Sequence, residues 1–161
     1  DIQKGETVWD VGAGTGSVSI ELARLDPSIR VFSVESNPEA CTLISQNRAK
    51  FGAYNLSLVS GFAPEALESL PTPDAAFIGG SRGSLAEILN ILLLRNPGVR
   101  VCISAIAAET FADVAGLLAK TPWTDLNIAQ LSAARSRRAG PYHLMTGQNP
   151  VWLLSAKGAG Q

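Results

Sequence analysis

"VWDVGAGTGSVSIELA", residues 8–23, places three glycines within five residues, between an apolar run and a stretch with helical spacing. A strand that enters a helix through such a turn usually does so because a ligand must lie against bare backbone. The dinucleotide fingerprint requires its third glycine at position 17, where this chain has Ser17. A phosphate-binding P-loop requires Lys followed by Ser or Thr after its glycines, whereas Val18 and Ser19 stand there. The stretch therefore weakens the case for NAD and excludes a P-loop.

What remains is Asp10 followed by alternating glycines, and it resembles the first motif of S-adenosylmethionine-dependent methyltransferases. Asp10 is expected to hold the cationic amino end of the methionine moiety, directly or through water. An alternative of equal weight is a turn-stabilising carboxylate that accepts hydrogen bonds from nearby backbone N–H groups. The residues of this turn expected to bind the donor are Gly12, Ala13, Gly14, Thr15 and Gly16.

Length and composition favour one domain: 161 residues with 46% hydrophobic side chains can bury a single core. A formal net charge of −1 provides no global attraction to nucleic acid or to an anionic membrane. Fully apolar runs such as residues 91–94 are far shorter than the roughly 20 residues that span a bilayer. These properties predict a cytoplasmic protein without nucleic-acid or membrane partners, and the first residue, Asp1, suggests that a short N-terminal segment is missing. Cys41 and Cys102 are expected to be buried reduced thiols, and no metal site is expected.

The order of apolar runs predicts the fold, because strand-length runs alternate with longer segments of helical period. Strands are predicted at residues 7–11, 30–35, 56–60, 75–78 and 100–106, and helices at residues 17–25, 38–51, 64–70, 84–94 and 108–119. Residues 126–133 and 151–156 are then two strands without a helix between them, which should pair antiparallel at one sheet edge. The predicted class is α/β, a class I S-adenosylmethionine-dependent methyltransferase fold with a Rossmann-like seven-stranded sheet whose last strands are antiparallel. Dinucleotide-binding sheets usually stay parallel throughout, so the antiparallel last strands are a second argument against NAD.

Ligands of open α/β sheets lie beyond the carboxyl ends of the strands, so the predicted strand ends define a candidate site. Glu35 ends the second strand, where its two oxygens can accept hydrogen bonds from both ribose hydroxyls of an adenosyl group. The alternative is a carboxylate that only stabilises the start of the following helix. After the third strand, Phe62 provides an apolar floor for the adenine, or else belongs to the core. The further residues expected to bind the donor are Glu35, Ser36, Gly61, Phe62 and Ala63.

The fourth strand ends in Gly79-Gly80, where methyltransferases place residues that face the methyl acceptor. The Asn-Pro-Pro-Tyr motif of enzymes that methylate base amines is absent there, which disfavours a flipped-out base. Two glycines leave floor space for a large flat acceptor, or form a plain turn. Arg82 and the cluster Arg135, Arg137 and Arg138 are candidates for docking several carboxylates, with a solubilising loop at a sheet edge as the alternative for the cluster. His143 is expected to be a solvated loop side chain.

Three segments together resemble a narrower family: "WDVGAGTGSVSIELA", "GFAPEALESLPTPDAAFIGGS" and "NPVWLLSA", at residues 9–23, 61–81 and 149–156. They are similar to the decarboxylating precorrin methyltransferases of cobalamin biosynthesis, over residues 5–156. The resemblance implies S-adenosylmethionine as cofactor and a tetrapyrrole substrate, precorrin-6B or its cobalt counterpart, methylated at carbon 15 with loss of carbon dioxide from the ring C acetate. It also implies a homotetramer and a chain that occurs alone or fused to an N-terminal methyltransferase domain. The expected acceptor-site residues are Gly79, Gly80, Ser81, Arg82, Ser104 and Glu109.

Two alternatives stay open at this point. One is an RNA or protein methyltransferase of the same fold, acting for example on tRNA adenine or on a damaged aspartyl side chain. The balance of 13 basic and 14 acidic residues disfavours RNA, which requires a broad basic face. The other is a non-catalytic module that binds an adenosyl ligand.

Overall fold

The apolar run at residues 7–11 forms a strand that is buried along its whole length. The computed structural model describes residues 1–120 and 122–160. Its strands are β1 (Thr7–Val11), β2 (Arg30–Glu35), β3 (Leu56–Ser60), β4 (Ala75–Ile78), β5 (Arg100–Ala105), β6 (Trp123–Leu131), β7 (Ala134–Ala139), β8 (Tyr142–Gly147) and β9 (Val151–Gly158). Its α-helices are α1 (Ser17–Leu25), α2 (Pro38–Phe51), α3 (Leu85–Arg95) and α4 (Ala108–Leu118).

Seven of the strands form one sheet in the order β3-β2-β1-β4-β5-β9-β6. The strands from β3 to β5 are parallel, whereas β9 runs antiparallel to both β5 and β6. The strand order reverses at β1, which lies between β2 and β4, so the switch point lies at the carboxyl end of β1. The predicted α/β class and the antiparallel last strands are confirmed.

The side chains of β1 alternate between two cores, one on each face of the sheet. Val8 packs with Ile20 and Ile44, which α1 and α2 contribute. Trp9 and Val11 belong to the larger cluster on the opposite face, to which α3 and α4 contribute leucines and other apolar side chains. Asp10 alternates with Trp9 and therefore lies on the α1 side of the sheet.

Local signals fix the ends of α2 and therefore position the carboxyl end of β2. Oδ1 of Asn37 accepts hydrogen bonds from the N–H groups of Glu39 and Ala40, at 2.9 and 3.3 Å. Pro38 follows at the first helical position, where a missing N–H costs no helical hydrogen bond. Gly52 ends the helix with a left-handed φ of 64°.

The structure corrects the prediction for residues 123–147. Strand β6 covers Trp123–Leu131 rather than residues 126–133, and β7 and β8 form an antiparallel two-stranded sheet where a loop was expected. Arg135, Arg137 and Arg138 therefore lie on β7 and His143 lies on β8. Every residue of these two strands except Ala139 is exposed, so no burial pattern in the sequence distinguished them from a loop.

Three smaller predictions were also wrong. The helix expected at residues 64–70 is a single 3-10 turn, Glu65–Leu67, because only Leu67 and Leu70 of that segment are buried and prolines stand on both sides. Cys41 and Cys102 are free thiols as expected, but both are half-buried rather than fully buried. Strand β5 ends at Ala105, one residue earlier than predicted. Within residues 1–120 and 122–160, no helix has both the length and the apolar character needed to cross a membrane.

Candidate active site

The loops that follow β1 and β4 contact each other through their backbones at the switch point. A Cβ atom on Gly12 would lie 2.4 Å from the carbonyl oxygen of Gly80 and 2.8 Å from its nitrogen. A Cβ atom on Gly79 would lie 3.0 Å from the carbonyl oxygen of Gly12. Gly79 is therefore a glycine because the two loops pack closely. Gly80 instead has open space on its Cβ side, and it lines the two cavities that are described below.

The glycines of the first turn serve different purposes. The N–H groups of Gly12 and Ala13 both donate to the carbonyl oxygen of Val34, at 2.9 and 3.2 Å, and tie the turn to β2. Gly16 lies against α2, because a Cβ atom there would be 2.9 Å from Cγ1 of Ile44. Gly14 has a left-handed φ of 57° and no atom within 4 Å of a Cβ position. Of these glycines, Gly14 is therefore the one that presents open backbone.

Glu35 holds the turn from the end of β2. Its Oε2 accepts the N–H of Gly14 at 2.8 Å, and its Oε1 accepts the N–H groups of Ser36 and Asn37, each at 2.8 Å. Burial alone would raise the pKa of the Glu35 carboxyl, but the backbone donors of Asn37, Gly14 and Ser36, with the charge of Arg82, lower it below its ordinary value. Glu35 is therefore an anion at neutral pH, and it lies at the cavity described below.

Asp10 lies beneath the turn in a buried polar network. Its Oδ2 accepts the Ser19 hydroxyl at 2.5 Å, and a second hydrogen bond of 2.8 Å links Ser19 Oγ to Ser33 Oγ. Desolvation raises the pKa of the Asp10 carboxyl to about 6, opposed by hydrogen bonds from Ser19 and reinforced by the charge of Glu35. Within the described residues, Oδ1 of Asp10 is buried and has no hydrogen-bond partner. The hydrogen bond to Asp10 therefore comes from a hydroxyl of α1 and not from a backbone N–H of the turn, and contact with a ligand stays a prediction.

A cavity of about 170 Å³ lies at the carboxyl ends of β1, β2 and β3, and is called the donor cleft below. Its lining includes the predicted residues Gly12, Glu35, Ser36, Gly61, Phe62 and Ala63, and also Gly80, Ser81 and Arg82. Phe62 is 58% exposed, so it is a wall of this cleft and not part of the core. Ala13, Gly14, Thr15 and Gly16 do not line the cleft. They belong to the turn above it, and their contact with a ligand stays a prediction.

A second cavity of about 430 Å³ lies at the carboxyl ends of β4 and β5, and is called the acceptor cavity below. The predicted residues on its wall are Gly79, Gly80, Ser81, Arg82 and Ser104. Glu109 lies outside this lining, on the exposed first turn of α4. Sequence reasoning missed Ile103, Ala107 and Thr110, which line the cavity. Their position at the end of β5 and the start of α4 was the available signal.

Two further cavities border the sheet and its helices. A groove of about 530 Å³ along α4 shares Ser81, Gly83 and Thr110 with the acceptor cavity and ends at Lys120. A cavity of about 440 Å³ contains Ala75, Arg100 and Lys157, at the opposite ends of their strands from the glycine turn. Only the groove therefore extends the candidate site. Arg135, Arg137 and Arg138 line none of these cavities.

Comparison with known proteins agrees with this geometry. Residues 1–157 match the family model of the precorrin methyltransferase domain. The chain belongs to the precorrin methyltransferase family. A relative within this family is the probable cobalt-precorrin-6B C(15)-methyltransferase (decarboxylating) of Methanothermobacter thermautotrophicus, which is 39% identical over 94% of this chain and 78% of its own length.

Solved structures agree with the family assignment. The crystal structure of precorrin-6y C5,15-methyltransferase from Geobacter metallireducens superposes with a TM-score of 0.88 at 36% identity, over 96% of this chain and 80% of that one. An S-adenosylmethionine-dependent O-methyltransferase from Thermotoga maritima shares only 17% identity with a TM-score of 0.78, over all of this chain and 62% of that one. The second likeness shows the fold alone, which is that of S-adenosylmethionine-dependent methyltransferases.

Alanine substitutions at Gly12 and Gly14 should differ in their effect on stability. Gly12→Ala drives a methyl group into the backbone of Gly80 and strains a left-handed residue, so we expect a loss of about 2–5 kcal/mol in the free energy of unfolding. Gly14→Ala meets open space and adds only backbone strain, about 1–2 kcal/mol. Urea unfolding of both variants measures the difference. Equal losses would contradict the backbone contact between the two loops.

Asp10 should make the folded state relatively more stable in mild acid. Its folded pKa of about 6 lies above the ordinary 3.8, so its contribution to stability is fully present below 3.8 and is lost as the pH rises through 6. Between pH 7.5 and pH 5, the wild type should gain about 1.4 kcal/mol of unfolding free energy relative to Asp10→Asn. Urea unfolding of both proteins at the two pH values tests this. A difference that does not change with pH would show that the Asp10 pKa is not raised.

Proposed function

We propose that this chain is an S-adenosylmethionine-dependent C-methyltransferase of cobalamin biosynthesis. Its substrate would be precorrin-6B or the cobalt-containing form, methylated at carbon 15, with the carboxyl group of the ring C acetate lost as carbon dioxide and a methyl group left on the ring. The observation that carries the proposal is the pair of adjoining cavities at the switch point, with the carboxylate Glu35 in one and small residues on the floor of the other. Membership of the precorrin methyltransferase family supports the choice of substrate.

The residues present fit the proposed donor. Oε2 of Glu35 accepts one hydrogen bond from Gly14, so one of its lone-pair positions stays available for a ribose hydroxyl. The backbone at Gly14 has no neighbour on its Cβ side, which leaves room for a ligand against the turn. The buried Oδ1 of Asp10, without a partner among the described residues, suits the cationic amino end of a methionine group. When bound, the donor supplies an electrophilic methyl group on a sulfonium.

The acceptor cavity suits a wide, flat substrate rich in carboxylates. Gly80 leaves its floor open, and the groove along α4 lengthens the cavity toward Lys120. Arg82 offers a guanidinium for carboxylate binding at the boundary with the donor cleft. The conjugated ring of a precorrin supplies the nucleophilic carbon itself, so a strong base on the protein is unnecessary. The protein then contributes alignment of the reacting groups and exclusion of water, which together are worth up to about 7–11 kcal/mol.

S-adenosylhomocysteine, but not NAD, should stabilise the folded chain. At 100 times its dissociation constant, a one-site ligand adds about 2.7 kcal/mol to the unfolding free energy, which raises the melting temperature measurably. Glu35→Gln should weaken this binding by about 1–3 kcal/mol in calorimetry, because the charged acceptor for the ribose is lost. Glu39→Gln, in the exposed first turn of α2, is the control and should bind as the wild type does. No thermal shift with S-adenosylhomocysteine would rule out the methyl-donor proposal.

Mass spectrometry of the reaction product tests the proposed reaction directly. Incubation with S-adenosylmethionine and precorrin-6B should produce a tetrapyrrole that has gained one methyl group and lost one carbon dioxide. A product with the methyl group but with the carboxyl retained would contradict the decarboxylating step. An unchanged substrate, with donor binding intact, would contradict the choice of acceptor.

We further propose that the chain assembles as a homotetramer. Apolar side chains on β6, β7 and β8 support self-association, since large exposed apolar surfaces on an edge strand and a hairpin favour a protein partner. Those exposed by at least 47% of their area are Ile128, Leu131, Tyr142, Leu144 and Met145. Light scattering should give the mass of four chains, and the double variant Leu144→Glu/Met145→Glu should lower that mass. A monomeric wild type would contradict this assembly.

The cytoplasmic location and the fused N-terminal methyltransferase domain stay predictions.

A further inference from the structure

The donor cleft is small for the ligand that it is proposed to hold. Its volume is about 170 Å³, whereas pockets for ligands of this size usually measure about 300–1,000 Å³. Arg82 and Phe62 are both part of its wall. Movement of a side chain in this wall would enlarge the cleft for an adenosyl group.

Arg82 is positioned to be that side chain. Its guanidinium carbon lies 5.5 Å from the centre of the Phe62 ring, a cation–π contact between residues that follow two different strands. The charge of Arg82 also helps to lower the pKa of Glu35, the residue proposed to bind the ribose. The guanidinium thus lies against an aromatic face at the donor cleft, near enough to Glu35 for its charge to act on that carboxyl.

The backbone of Arg82 is strained. Its φ is 49°, in the left-handed region that an arginine rarely adopts, with Ser81 directly before it and Gly83, whose φ is 94°, directly after it. Strain of this kind persists where the surrounding structure holds it, and it concentrates at ligand-binding sites. Arg82 therefore has a left-handed backbone conformation on residues 80–82, the short segment that the two cavities share.

Arg82 also has no ion-pair partner within residues 1–120 and 122–160, where the ion pairs join Lys4 to Asp26, Arg24 to Glu21, and Arg100 to Glu6. The same residue lines the acceptor cavity as well as the donor cleft. Arg82 therefore borders both cavities. In the acceptor cavity it would meet a substrate carboxylate, for which a guanidinium has matching geometry.

We propose that Arg82 couples the two sites, so that donor binding moves its guanidinium out of the donor cleft and into the acceptor cavity, where it binds a carboxylate of the acceptor. This inference rests on the proposed function. The residue then acts as a specificity determinant, because an acceptor without a carboxylate near Arg82 gains nothing from the bound donor. Since coupling is reciprocal, a carboxylated acceptor must strengthen donor binding by the same factor.

Calorimetry with two probes tests the coupling: S-adenosylhomocysteine for the donor and uroporphyrin, a flat tetrapyrrole with eight carboxylates, for the acceptor. In the wild type, saturating S-adenosylhomocysteine should lower the dissociation constant of uroporphyrin by a factor within the usual range for coupled sites, about 5 to 150. Arg82→Gln should reduce that factor to about 1 while binding S-adenosylhomocysteine alone at least as tightly as the wild type. Arg82→Lys retains the charge and should keep part of the coupling.

Arg24→Gln is the matched control, because Arg24 also lies over an aromatic ring, at 5.8 Å from the centre of Phe51, but lines neither the donor cleft nor the acceptor cavity. It should show the full wild-type coupling, and circular dichroism should confirm that all variants are folded. Coupling that survives in Arg82→Gln, or that is absent from the wild type, would overturn the inference. Uroporphyrin that fails to bind even with S-adenosylhomocysteine present would overturn its carboxylate half. A wild type that does not bind S-adenosylhomocysteine would instead overturn the proposed function.

Discussion

The close backbone contact between Gly12 and Gly80 joins the two halves of the site. It requires a residue without a side chain at position 12, because a Cβ atom on Gly12 would lie 2.4 Å from the Gly80 carbonyl oxygen, and it leaves little room at Gly79, whose Cβ would lie 3.0 Å from the Gly12 carbonyl oxygen. Hydrogen bonds from Gly12 and Ala13 to Val34 then fix the same turn against β2. The donor cleft lies on one side of this contact and the acceptor cavity on the other, and the two share Gly80, Ser81 and Arg82. Two ligands in these cavities would therefore be separated only by that short shared wall.

Two carboxylates beside the turn have opposite electrostatic environments. Three backbone N–H groups lower the pKa of Glu35 and keep it ionised, whereas desolvation raises the pKa of Asp10 to about 6. The folded chain therefore maintains a buried carboxylate with one oxygen that lacks a partner among the described residues, at a cost in stability near neutral pH. A cationic ligand group at that oxygen would offset this cost, which gives a physical reason for an acid at the end of β1.

Patterns of apolar residues in the sequence made most of the sheet predictable. Strands β1 to β4 and helices α1 and α2 have the predicted bounds, because each begins or ends at a glycine, a proline or a change of hydrophobic period. The rule that ligands lie beyond the carboxyl ends of the strands likewise predicted that Glu35, Phe62 and Ser104 lie at the cavities. The β7–β8 hairpin escaped prediction because its exposed strands bury no face. Glu109 lies on the predicted helix, but on its exposed first turn and outside the lining of the acceptor cavity, so its role at the acceptor stays a prediction.

The fold class, the glycine turn and the carboxylates that flank it could be read from the amino-acid sequence, since these follow from local periodicity and from residues a few positions apart. The reason that Gly12 must be a glycine appears only in the folded chain, because Gly12 and Gly80 are distant along the sequence and meet only when β1 and β4 pair. The tertiary structure also decided that Arg82, and not the arginines of β7, lies at the cavities. Arg82 and the arginines of β7 carry the same charge. They differ in position, because the loop after β4 places Arg82 at the cavities and β7 lies outside the main sheet.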